Sequence, residues 1–524
     1  MIFIYNIFYI KMSNSELNKL INSEVINKFK DLFNCLNEDE QLNNYRIQDI
    51  QKIYSIGDIH ADILVLLKLF EHFNLIKYEI INSDNLPTNY NYYDIKSNNI
   101  RNEKNNEINL ETITENNNFI LELRNRYYLD NFNNRIRDIN KVIKVNILKN
   151  NFNNIENNSA FIFLGDICDA HYERMPNNDI SCLSLLFIFK KLFDNLLKTR
   201  NIHLKIIIGN HDLNVILNDK NNNYKDIEDE NYKLYSDKFD LRHNFIMANI
   251  DLFNLLVIIN NNVLLSHTII FKWHISEIMH ILFDIPYKEV DTSKKSDMLD
   301  SSFGFDLDDD DDFDDNNKID PFDRVDKVNT YKIMNALNVS ELDILNLICK
   351  YIIHKTNTCS TYYENFINNN KENNILDIIK KLVFDRENEF SREQVAPVCN
   401  SNSYYNDDEK LNYNACNNKY YIIGHIPTRI NSNSNFSDYN IKNNMDKSSS
   451  TSFNNFFIYH NDVALSTSFF TNNIKCYLLF DKINENNYNK SLIKFSTRNI
   501  IGDEYKNIYG DEVNDLINKS AIYN

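Results

Sequence analysis

At 524 residues the chain has room for a sizeable core and for more than one domain, despite an asparagine-rich composition. A formal net charge of −18 argues against a nucleic-acid backbone as the main partner, because phosphate binding needs a cationic face, though it leaves room for a local basic patch. The eight cysteines are scattered without a Cys-x-x-Cys pair, which argues against a zinc ribbon or a dithiol redox motif and fits reduced thiols in an intracellular, cytoplasmic protein.

Met1 to Ile10 is an apolar run, but it is shorter than the roughly 20 residues a bilayer span needs and lacks a small-residue cleavage site. The expectation is no membrane partner, with the short run as the one feature that suits an anchor or signal. From Ser13 to Leu36, apolar residues at Leu17, Leu20, Ile21, Val25, Phe29 and Leu32 recur at helical spacing, and residues 1–47 read as a helical extension. Lys52 to Ile56 reads as a buried strand that delivers Gly57-Asp58-Ile59-His60 into a loop, followed by a helix over Ala61 to Phe73.

Residues from about 83 to 158 are rich in Asn and Tyr and separate the first strand from the next far beyond a short crossover, so they read as an insertion. Within it the spacing predicts partly helical structure over Phe119 to Leu148. Phe161-Ile-Phe-Leu-Gly-Asp-Ile-Cys-Asp169 is an apolar run broken by glycine and followed by two carboxylates, a pattern that places acids at the C-terminal end of a strand. A helix over Ile180 to Leu197 and a strand over Leu204 to Ile208 follow, the strand ending in Gly209-Asn210-His211-Asp212. Further apolar runs cover Leu252 to Ile259 and Asn262 to Leu265, the second ending in Ser266-His267.

Residues from about 287 to 419 form a second insertion. Its acidic tract, Asp306 to Asp315, should be solvated by self-repulsion and lacks the glycine-centred pattern of a calcium loop. Helical spacing returns over Val328 to His354 and near Leu376 to Phe384. The chain re-enters the core at Tyr420-Tyr-Ile-Ile-Gly-His425. Runs over Phe456 to His460, Val463 to Phe470 and Ile474 to Phe480 read as strands that close a second sheet, within a catalytic domain spanning 48–500, and residues 501–524 form a tail. Four of the seven glycines, Gly57, Gly165, Gly209 and Gly424, stand at the strand-to-ligand junctions. A chain so poor in glycine keeps it where backbone geometry requires it.

Asp58, His60, Asp166, Asp169, Asn210, His211, His267 and His425 mix carboxylate, amide and imidazole donors, the chemistry that hard and borderline divalent cations select. If two cations lie about 3.5–4 Å apart, one carboxylate must bridge them, and Asp166, delivered by the most apolar strand, suits that place. The order Gly-Asp-x-His, Gly-Asp-x-x-Asp, Gly-Asn-His-Asp, a lone strand-end His and Gly-His resembles the calcineurin-like metallophosphoesterases, and is most similar to their phosphoprotein-phosphatase-like branch.

That resemblance implies an α/β fold with two mixed sheets packed as a sandwich flanked by helices. It implies two metal ions, of manganese, iron or zinc. Asp58 and His60 would hold the first, Asp166 would bridge, and Asn210, His267 and His425 would hold the second. His211 would protonate the leaving oxygen, oriented by Asp169. The implied activity is hydrolysis of a phosphoester by a metal-activated water, on a phosphorylated protein or a small phosphoester.

The departures are also specific. Where the branch continues Asp-Arg-Gly, this chain has Asp169-Ala170-His171, which leaves Arg174 and Arg429 as candidates for the substrate phosphate, with the planar fork that phosphate favours. The missing Arg keeps a nucleotide or dinucleoside polyphosphate phosphoesterase as an alternative, and a catalytically degenerate binding scaffold as another.

Overall fold

The computed structural model describes residues 45–110, 118–123, 141–168, 178–217, 242–268, 272–283, 369–384, 420–425, 440–441, 457–460, 474–485 and 487–496, together with residues 27, 31, 270 and 344–345. The first run of β-branched and aromatic residues, Lys52–Ile56, forms a strand over the same span that its pattern predicts. It is β2, preceded by a two-residue strand β1 (Arg46–Ile47) and followed by α1 (Ile63–His72). Asp62 caps α1 by accepting the Val65 N–H at 3.2 Å.

β2 pairs in parallel with β8 (Ser159–Phe163), β8 with β9 (Ile202–Ile207), and β9 with β10 (Phe253–Asn254). The sheet is completed on its other side by β16 (Ile474–Asn484), antiparallel to β2, and β17 (Asn487–Ser496). A second sheet has the order β1, β11 (Leu256–Ile259), β12 (Val263–Ser266), β13 (Tyr420–Ile423), β15 (Phe457–His460) and β14 (Asn440–Ile441). The chain crosses from the first sheet to the second between Asn254 and Leu256, and β1 is tied to β11 by the register Arg46 to Ile258.

The period-two pattern of each strand divides its side chains between two layers. Ala160 and Ile162 of β8 pack with Val257, Ile259, Val263, Leu265, Tyr420 and Ile422 of the second sheet in one buried layer. The alternate residues Phe161 and Phe163 join a second layer with Phe70 of α1 and with Phe189 of α2 (Asp179–Arg200). The two sheets therefore pack face to face and helices cover the outer face of the first: the fold is α/β. Further helices are α3 (Asn210–Leu217), α4 (Lys272–Phe283) and α5 (Asn369–Phe384), and residues 242–248 are also helical. None of the described helices is long and apolar enough to cross a membrane.

Two expectations are corrected. The segment expected to be partly helical over Phe119 to Leu148 contains β6 (Asn118–Glu122) and β7 (Lys141–Ile147), which pair antiparallel. With β3 (Ile76–Asn82), β4 (Tyr90–Asp94) and β5 (Asn99–Asn102) they make a third sheet. Val142, Ile143, Val145 and Ile147 carry β-branched side chains that are stiff at χ1 and suit a pleated surface, so strand preference overrides the loose helical spacing. This sheet belongs to the main core: Phe119, Ile143 and Val145 share a buried cluster with Phe70 and Leu186, and the Tyr93 ring lies 4.5 Å from Phe187. The second correction concerns Ile474 to Phe480, which extends the first sheet instead of closing the second. Periodicity identifies a strand without saying which sheet it joins.

Of the other expected elements, the helix near Leu376 to Phe384 lies within α5. The Ser13 to Leu36 helix, apart from residues 27 and 31, and the Val463 to Phe470 strand lie outside the described residues. So do the acidic tract and all but residues 344–345 of the Val328 to His354 helix.

A titratable group inside the first sheet gives a test of its packing. Burial, with the Lys205 ammonium nearby, pulls the imidazole of His203 on β9 down to about 4. Between pH 4 and 6.5 the unfolded chain binds a proton that the folded chain refuses, so stability rises with pH across this window and falls as the solution is acidified. Replacing His203 by Gln is expected to flatten that dependence by on the order of 2 kcal/mol, read as the urea midpoints at pH 4.5 and 7 compared between variant and wild type.

Candidate metal centre

Five strands end on one side of the sandwich, and each is followed within four residues by a polar donor. β2 leads to Asp58 and His60, β8 to Asp166, β9 to Asn210 and His211, β12 to His267, and β13 to His425. All seven are at most 7% exposed. A buried group of so many donors is costly unless its members compensate one another or hold an ion.

The backbone turns sharply to bring them together. His60, Asp166 and His425 have φ of 47°, 46° and 64°, a left-handed conformation that costs most residues energy and concentrates at functional sites. The β2 and β8 loops are stitched by His60 N–H donating to the Asp166 carbonyl at 2.7 Å and Ala61 N–H to that of Ile167 at 2.8 Å. Glycine makes the approach possible. Gly165 has φ of 116°, and a Cβ there would stand 2.6 Å from His267 Nδ1. A Cβ on Gly424 would stand 2.7 Å from Asp58 Oδ1, and one on Gly209 would overlap the Asp166 carboxylate. Gly209→Ala is therefore expected to lower stability by about 1–3 kcal/mol through overpacking and to weaken metal uptake, measured by urea denaturation and metal titration.

Asp166 is the common member of two donor groups. His60, Asp166 and His211 have donor atoms within 4.8 Å of one another, and so do Asp166, His267 and His425. His60 Nε2 is 3.8 Å and His267 Nε2 3.5 Å from Asp166 Oδ2, while Asp166 Oδ1 accepts the His211 N–H at 2.9 Å. Around His267 the donors crowd further: Nε2 lies 3.1 Å from Asn210 Oδ1 and 3.0 Å from His425 Nδ1. Its Nδ1 lies 2.8 Å from the Leu164 carbonyl, which can only accept, so Nδ1 carries a proton and Nε2 is the nitrogen aimed at those atoms. An imidazole nitrogen, an amide oxygen and a carboxylate facing one another fit a shared cation, and this hydrogen bond to a backbone carbonyl is the support that metal-binding imidazoles commonly have.

Electrostatics agree with the geometry. Burial alone would raise the Asp166 carboxyl, but His267, His211 and His60 together hold it well below the usual carboxylate range. Burial would lower His267, but the charge and hydrogen bond of Asp166, the Leu164 carbonyl and the Asp212 charge together raise the imidazole. Inside the buried site the Asp166 charge and the raised His267 imidazole thus compensate one another.

The structure brings together Asp58, His60, Asp166, Asn210, His211, His267 and His425. Two details go beyond the sequence reading. Asp58 turns toward the His425 side, its Oδ2 accepting the His425 N–H at 3.2 Å and its Oδ1 lying 3.9 Å from His267 Nδ1. His211 stands with its ring edge-on to that of His60, centroids 4.9 Å apart, close enough to count among the donors of the first group. Asp169, Arg174 and Arg429 lie outside the described residues. The sequence reading assigned nothing to Asp212, a fully buried acid whose carboxyl is pushed up to about 7 by burial and by the Asp166 charge.

No protein-family model and no curated protein matches the chain. Among solved structures it is similar to one described as a protein serine/threonine phosphatase from Saccharomyces cerevisiae with similarity to human phosphatase PP5, at 13% identity and a TM-score of 0.20. That match covers 49% of this chain and 55% of the other, so the chain spans about half the length of the structure it matches.

Proposed function

We propose that this protein is a metal-dependent phosphoester hydrolase, a phosphomonoesterase of the serine/threonine protein phosphatase kind acting through a pair of metal ions. The observation that carries this reading is the sharing of one buried carboxylate, Asp166, between two histidine-containing donor groups. Two cations bound there would acidify water and neutralise charge on a phosphoryl group. Manganese, iron and zinc all suit the mixture of oxygen and imidazole donors.

In this reading Asp58 and His60 would hold one ion, Asn210, His267 and His425 would hold the other, and Asp166 would be shared between them. His211, beside Asn210, gives its proton to the leaving oxygen as the bond from phosphorus to that oxygen breaks and the bond from phosphorus to water forms. Asp169 orients His211, and Arg174 or Arg429 grips the phosphate with a planar fork. The substrate is a phosphoserine or phosphothreonine protein. Ala170, in the place where the resembling branch has its phosphate-gripping Arg, favours a second reading within the same chemistry, a nucleotide or dinucleoside polyphosphate phosphoesterase.

The experiment is turnover of p-nitrophenyl phosphate by metal-stripped protein after addition of manganese, iron or zinc. The proposal expects activity that depends on added metal. No turnover with any of the three would replace it with a binding scaffold. The ratio of kcat/KM for a phosphopeptide to that for a dinucleoside polyphosphate then chooses between the two enzyme readings.

A further inference from the structure

Asp212 is the third residue of α3, and its ordinary role would be local. An acid at this position commonly reaches back to the backbone N–H at the start of its own helix, which needs one oxygen. Asp212 Oδ2 does this, accepting the Gly209 N–H at 3.1 Å. Its other oxygen does something the helix does not require: Oδ1 accepts the Cys168 N–H at 2.9 Å, across 44 residues of sequence, from the loop that carries Asp166.

A second bond runs the opposite way. The Asp166 carboxylate, from the β8 loop, accepts the backbone N–H of His211, in the first turn of α3 after β9, at 2.9 Å. Each loop thus offers one buried aspartate that accepts a main-chain N–H of the other. Asp166 and Asp212 do not exchange roles, because Asp166 belongs to both donor groups and Asp212 to neither.

We infer that Asp212 is a positioning residue, half of a reciprocal clasp that fixes the distance between Asp166 and the Asn210–His211 pair. This rests on the metal centre proposed above. With the clasp open, the β8 loop is free to move relative to α3, and since Asp166 belongs to both groups, affinity falls at both ions together.

The test uses the full chain, with Asp212→Ala and, as a milder variant that keeps one acceptor oxygen, Asp212→Asn. Ile143→Val, in the third sheet, serves as a remote variant. Hydrogen exchange is followed on peptides covering 164–168 and 207–213 in metal-free protein, and manganese binding is titrated separately. The clasp predicts that protection drops in both peptides together and that manganese affinity falls tenfold to a hundredfold, with a smaller change in Asp212→Asn. Ile143→Val should leave both readouts unchanged. Faster exchange confined to 207–213, with unchanged manganese affinity, would reduce Asp212 to a helix cap and overturn the inference. A wild-type protein that takes up no manganese, iron or zinc would instead sink the metal reading, while the exchange result would still decide whether the clasp exists.

Discussion

Replacing Asp166 by Asn is expected to remove both metal ions and to lower phosphoester turnover by about a thousandfold or more. The substitution is nearly isosteric, so the carbonyl oxygen can still accept the His211 N–H and the loop keeps its shape. What disappears is the charge. In the folded protein that charge faces His60, His211 and His267 and lies in both donor groups, and among the described residues no other carboxylate belongs to both. Loss of several kcal/mol of charge stabilisation at the reacting phosphoryl group corresponds to the stated rate loss. Metal content of the purified variant and its kcat/KM on p-nitrophenyl phosphate check it; retained metal with near-normal turnover would show that Asp166 is not shared.

His211→Asn is expected to give the opposite combination, with metal retained and turnover reduced by about 10²–10⁴, the range for loss of a general acid. The structure makes this a sharp test, because His211 lies close enough to His60 and Asp166 to serve as a ligand as well. A variant that loses metal in parallel with Asp166→Asn would move His211 from proton donor to ligand. If His211 is the acid, the alkaline limb of the pH–rate profile should disappear in the variant and the loss should be smaller for substrates with good leaving groups, p-nitrophenyl phosphate among them.

The fold and the site were legible in the sequence to different depths. Tyr420–Ile423 is a short apolar run stopped by Gly424, readable because burial on both faces leaves little choice of residue, and Lys52–Ile56, stopped by Gly57, is readable from the alternation of its buried Ile53 and Ser55 with half-buried Lys52 and Tyr54. The donors after them were readable for the same reason: Gly209 and Gly424 stand where a Cβ would meet a donor side chain, and a chain with seven glycines has few other uses for them. Sheet membership was not legible. The strand Ile474–Asn484 joins β2 through an antiparallel register that runs from Leu478 against Ser55 to Asp481 against Lys52, a partnership set by tertiary packing. The third sheet was missed because Lys141–Ile147 lies in polar, asparagine-rich surroundings that mask its alternation. Asp212 was read only as part of Gly-Asn-His-Asp, since an acid in the first turn of a helix has an ordinary local explanation and its bond to Cys168 depends on the fold. The orientation of Asp58 toward His425 likewise depends on where β13 ends.

The central claim is that two cations share the Asp166 carboxylate. Anomalous diffraction from crystals of the protein grown with manganese tests it most directly. The account predicts two peaks about 3.5–4 Å apart, one on each side of Asp166, with His60 at one and Asn210, His267 and His425 at the other. A single peak, or peaks that leave Asp166 out of reach of either ion, would contradict it.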